Sequence, residues 1–100
     1  MKAVVKTKIK KTVEEEFEIK LPCYVRTQFR FFKIYSDKKA IEVFSSDMPA
    51  ISVVGINTPF NMDWSFCNAE DFASAFENAM ELIENGAYAK AGMEVEDDAN

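Results

Sequence analysis

Residues 68–86, NAEDFASAFENAMELIENG, constrain the fold more than any other stretch of this chain. Asn68 suits an N-cap, because its side chain can accept a hydrogen bond from a backbone N–H that the first helical turn leaves unpaired. Glu70 and Asp71 follow in that turn, where negative charge complements the helix dipole. Phe72, Phe76, Met80 and Ile83 recur at helical spacing, and Ala69, Ala73, Ala79 and Leu82 widen the stripe. Asn85-Gly86 provides the left-handed stop. Glu77, Asn78, Glu81 and Glu84 fill the opposite face, and no Lys or Arg occurs between Lys39 and Lys90. A helix that is apolar on one face only must lie on something apolar, so the preceding residues have to supply that surface.

They read as strands. From residue 2 to 21 the odd positions carry Ala3, Val5, Ile9, Val13, Phe17, Ile19 and Leu21. The even positions carry Lys2, Lys6, Lys8 and Lys10, then Glu14, Glu16, Glu18 and Lys20. A period of two with one polar face predicts a half-buried strand. The polar face changes sign midway, which leaves two readings open. Folding back near Thr12 would set Lys10 against Glu14, Lys8 against Glu16 and Lys6 against Glu18. One long bent strand would instead pair its lysine half with the glutamate half of a second copy. No Gly, Asn or Asp marks a turn there.

Leu21-Pro22-Cys23 interrupts the alternation. Tyr24 to Ser36 (YVRTQFRFFKIYS) is the most strand-prone segment and reads as one strand. Its phase shifts after Phe31, which predicts a bulge or a strong twist. Ser36-Asp37-Lys38-Lys39 is a polar turn, and Ala40–Ser45 is a short strand. Residues 50–57 (AISVVGIN) are apolar on both faces, as in a central strand or one partly covered by a partner. Phe60, Met62, Trp64 and Phe66 alternate with polar residues and suggest a last strand. Trp64 and Met62 are expected either to be exposed for a partner or to close the core over the start of the helix. The expected architecture is α+β: an antiparallel sheet of four or five strands, followed by one C-terminal helix packed on one sheet face. Residues 1–86 form a single domain, and 87–100 are acidic and expected to be a disordered tail.

Composition excludes several chemistries. The chain has no histidine and two cysteines, Cys23 and Cys67, outside any CxxC spacing. A Cys/His zinc site is therefore excluded within one chain, as is nucleophilic machinery that uses a His base. The scattered carboxylates Asp47, Asp63, Glu70 and Asp71 form no Ca²⁺ or Mg²⁺ loop. No metal or cofactor is expected. No apolar run is long enough to span a membrane and no signal peptide is read, so the default location is the cytoplasm. The two cysteines then read as small buried thiols.

Charge is unevenly spread: residues 1–39 hold 11 Lys/Arg against 5 Asp/Glu, and residues 40–100 hold 1 against 12. Arg26, Arg30 and Lys33 lie near Tyr24, Phe32 and Tyr35. Cations that track phosphates beside rings that stack on bases are the chemistry of single-stranded nucleic-acid binding. The candidate binding residues are accordingly Arg26, Arg30, Phe32, Lys33 and Tyr35. In element order, over residues 15–85, the expected strands-then-helix arrangement is similar to that of PUR- and Whirly-type single-stranded nucleic-acid binders, whose sheets face the ligand. The lysines of residues 2–11 read as a solvated edge that discourages aggregation. The first functional expectation is a small non-enzymatic binding or assembly module, homodimeric, that uses the sheet face not covered by the helix and is open to a protein partner. The alternative is a single-stranded nucleic-acid binder.

Overall fold

A computed structural model describes residues 1–10 and 13–86, the side chains of 7–10 and 13–14 excepted. The expected turn at Thr12 and the expected tail at 87–100 lie outside the described residues. The architecture is α+β, as the sequence predicts, but in three layers. A two-stranded hairpin, β1 (Lys2–Lys10) and β2 (Val13–Lys20), covers one face of a five-stranded antiparallel sheet. The sheet comprises β3 (Cys23–Arg26), β4 (Arg30–Ile34), β5 (Lys39–Phe44), β6 (Ala50–Gly55) and β7 (Ser65–Phe66), in the spatial order β6-β5-β4-β3-β7. Helix α1 (Ala69–Glu84) covers the other face.

The sign change in the N-terminal alternation marks a hairpin, not one long strand. Its register pairs Lys8 with Glu14, Lys6 with Glu16 and Val4 with Glu18, two residues away from the expected pairing. A slip of two leaves every side chain on its face, whereas a slip of one would invert them all. The hydrophobic pattern therefore fixes the face and leaves the turn to choose the register. Lys6 and Lys2 reach Glu16 and Glu18, each at 3.8 Å on the exposed face. On the inner face Ala3 opposes Ile19 and Val5 opposes Phe17. Met1 O accepts a 2.7 Å bond from Leu21 N–H, which closes the open end. The chain then passes through a cis Leu21–Pro22 peptide into the sheet.

Residues 24–36 are not one strand. The chain reverses at Thr27–Arg30, where Thr27 N–H donates to Arg30 O at 2.8 Å. Val25 then opposes Phe32, and Cys23 opposes Ile34. The shift of phase seen in the sequence is this turn. Gln28-Phe29 lacks the Asn-Gly or Asp-Gly signal of a two-residue hairpin, so nothing local announces it. The next turn is local: Ser36 Oγ accepts from the N–H groups of Lys38 (3.2 Å) and Lys39 (2.9 Å).

Two cores result. Between hairpin and sheet lie Val5, Ile19, Val25, Phe32, Ile34, Ala40, Ile56 and Phe60. Full burial of a large side chain such as Phe32 or Phe60 contributes about 1.5–3 kcal/mol. Residues 59–61 form a 3₁₀ turn against β1, and Asn57 Oδ1 accepts from Lys6 N–H at 2.9 Å. Trp64 is half-buried there. It stacks on Phe17 at 5.7 Å and meets Phe60 edge-on at 4.9 Å. The Trp64 segment thus closes the hairpin core rather than the start of the helix, and only Ser65–Phe66 pair as a strand.

The second core sets Phe72, Ala75 and Ala79 of α1 on Val43, with Phe31, Ile41 and Ile51 beside them. The stripe predicted from Phe72, Phe76, Met80 and Ile83 is rotated slightly in the structure. Ala75 and Ala79 are buried, while Phe76, Met80 and Ile83 flank them half-exposed. The helix starts in a capping box: Asn68 Oδ1 accepts from Asp71 N–H at 2.8 Å, and Asp71 Oδ2 accepts from Asn68 N–H at 3.3 Å. It stops at Gly86, whose φ of +99° is open to glycine at little steric cost.

Candidate functional site

The sheet face expected to be open is largely occupied. The hairpin covers it from β3 to β5, and the expected binding surface opposite the helix is mostly core for that reason. The hairpin supplies this second apolar layer from within the chain.

The five candidate residues do not converge. Phe32 is fully buried against the hairpin and cannot stack on a base; its place as a surface ring is corrected to a core side chain. Arg30 shares that face near its uncovered end. Its Nε lies 2.6 Å from Glu42 Oε2, and its guanidinium sits 4.9 Å from the Phe44 ring centroid. Ser52 Oγ donates to the other oxygen of Glu42 at 3.4 Å. Arg26 and Lys33 lie on the helix side of the sheet, because Arg26 opposes Phe31 and Lys33 opposes Tyr24. The Arg26 guanidinium rests 5.0 Å from the Phe31 centroid. Tyr35 is exposed one residue beyond β4. The alternation of strand side chains divides the cations between two faces, a division that a single-strand reading across the hidden turn could not foresee.

Lys33 borders a groove of about 440 Å³ between α1 and the sheet, lined by Tyr24, Ile41, Phe72, Phe76 and Glu77. A shallower hollow of about 370 Å³ holds both thiols, beside Lys20, Pro22 and Phe66. Burial pushes the Cys23 thiol up from its ordinary pKa. Cys67 is also raised, first by burial and then by Asp71 and Cys23, with Arg26 pulling the other way. Both thiols are free, and weak nucleophiles near neutral pH. Among the described residues no three Cys, Asp or Glu side chains gather as a metal site, and no helix is long and apolar enough to cross a membrane.

The sheet edges differ sharply. β7 is two residues long, and the outward face of the hairpin carries paired Lys and Glu. Short strands and charges of this kind blunt an edge. β6 has neither device. Its sequence, AISVVG, contains no charge and no proline over six residues, and no described strand lies outside it. Ile56 N–H donates to Lys38 O at 3.0 Å, so the hydrogen-bonded pairs toward β5 fall on even residues. Ile51 and Val53 therefore turn their backbone N–H and C=O groups outward. The Val53 side chain is 59% exposed. Met48 and Leu82 add apolar surface at one end, where α1 meets Ser45, Ser46 and Pro49. The sequence leaves two readings of this stretch, a central strand or one partly covered by a partner, because it is apolar on both faces. Only the strand order reveals it as an edge.

Comparison of the chain with protein-family models, with curated proteins and with solved structures finds no match.

Proposed function

We propose that this chain is a small non-enzymatic binding and assembly module that works as a homodimer through its open sheet edge. The observation that carries this reading is the uncharged β6 edge in a molecule whose other described edges are short or charged. An edge of that kind takes up an added strand through main-chain hydrogen bonds, with alternate side chains supplying the fit. The absence of histidine and the raised thiols support a binding role over nucleophilic chemistry. The single-stranded nucleic-acid reading retains only Arg26 and Lys33 on one face, since Glu42 holds Arg30 and Phe32 is core.

Light scattering coupled to size exclusion tests the assembly. The expected result is a mass that rises toward twice the monomer as concentration climbs through the micromolar range. A monomer mass maintained at high micromolar concentration refutes it.

A further inference from the structure

We infer that the occupant of the β6 edge is the β6 of a second copy, antiparallel about a two-fold axis that passes beside Ser52. The inference rests on the assembly reading above and adds the partner strand, its direction and its register. Direction follows from charge. The Gly55 end of β6 lies beside Lys39, its partner on β5, and beside Lys38, both exposed, which leaves that end net positive despite the exposed Asp37 in the same turn. The Ala50 end follows the turn that holds exposed Asp47, and the C-terminal half of α1, with exposed Glu81, lies over that turn. Antiparallel pairing brings the lysine end of each copy to the acidic end of the other. Parallel pairing would set like charges together.

Register follows from the outward backbone groups. Hydrogen-bonded pairs must join odd residues to odd residues, because Ile51, Val53 and Gly55 face outward. An axis at Val53 would rely on Gly55, whose carbonyl already accepts from Thr58 N–H at 3.1 Å and which offers no side chain to Ile51. An axis at Ser52 lets each Ile51 exchange main-chain bonds with the Val53 of the other copy. Their apolar side chains then meet on the α1 side, and Val53 leaves solvent. The two Ser52 residues become a close non-hydrogen-bonded pair on the other face, with Cα atoms about 4.5 Å apart. Ser52 is exposed on that face, so nothing within the chain blocks the approach.

That spacing lies within the range a disulfide can bridge. Ser52→Cys in the full chain, exposed to oxidised glutathione, is expected to give a covalent dimer whose linking peptide maps to residue 52 on both sides. Ser65→Cys, exposed on the far edge, is the control and is expected to stay uncrosslinked. Separately, Val53→Lys places a charge on the edge at an exposed position, so folding is retained. It is expected to weaken dimerisation at least about tenfold, with circular dichroism unchanged and Tm equal to the parent's at concentrations low enough for both to be monomeric. A dimer that Val53→Lys weakens but that forms no 52–52 bridge overturns the assigned register and leaves the edge reading standing, whereas a dimer that resists Val53→Lys overturns both. A parent chain that is monomeric throughout overturns both.

Discussion

Arg30 Nε lies 2.6 Å from Glu42 Oε2 across β4 and β5, and the same guanidinium covers the Phe44 ring. Glu42 is the more buried partner, its side chain 15% exposed against 37% for Arg30. The pair sits where the hairpin no longer covers the sheet, so it seals a polar corner of that face. Glu42→Ala leaves Arg30 without its acceptor and is expected to cost about 1–2 kcal/mol in urea unfolding, the range for hydrogen bonds to charged groups after allowance for the exposure of Arg30. Arg30→Lys should recover only part of the pairing, because an ammonium cannot reproduce the planar fork. Unfolding midpoints for both variants that match the parent would show the pair to be ornamental.

The capping box at Asn68 makes a second expectation. Asn68→Ala removes the acceptor for Asp71 N–H and is expected to lower stability by about 1 kcal/mol. Asn68→Asp keeps an acceptor and adds charge at the positive end of α1, so it should be close to neutral. Thermal melts of the two variants check this, and equal losses in both would contradict the cap.

The thiols carry a pH expectation. Burial raises both, so at a given pH near neutrality each holds less thiolate than a free cysteine. The native chain should therefore react with a disulfide reagent more slowly than the unfolded chain, with the rate still climbing above the pH at which a free thiol levels off. The linkage has a definite sign: a proton bound more tightly in the folded state favours folding below the ordinary thiol pKa, and that support is lost as pH rises through the raised values. Native rates equal to those in denaturant would refute the assignment.

Much of the fold was legible because it is written locally. Helix α1 announced itself through Asn68, its apolar spacing and Gly86, all within one element. Where its side chains are described, the N-terminal alternation sorts them correctly, with Ala3, Val5 and Ile19 buried and Lys2, Lys6, Glu16 and Glu18 exposed. What failed depended on contacts between elements. The turn at Gln28-Phe29 carries no local signal, so two strands read as one and the division of their cations between two faces stays hidden. With the turn in place, Arg30 points away from Arg26 and Lys33, and Phe32 enters the core.

The sequence by itself determined the C-terminal helix with its cap and the strand character of most of what precedes it, because side-chain periodicity and capping are properties of neighbours along the chain. Tertiary structure alone decided the order of the strands and what lies on each sheet face. The hairpin occupies the face left free by α1, and β6, apolar on both sides like an inner strand, ends the sheet. The physical reason is that a strand's hydrogen-bonding groups are the same in every residue. A strand's own sequence therefore cannot say whether another strand lies beside it, and among the described residues none lies beyond β6.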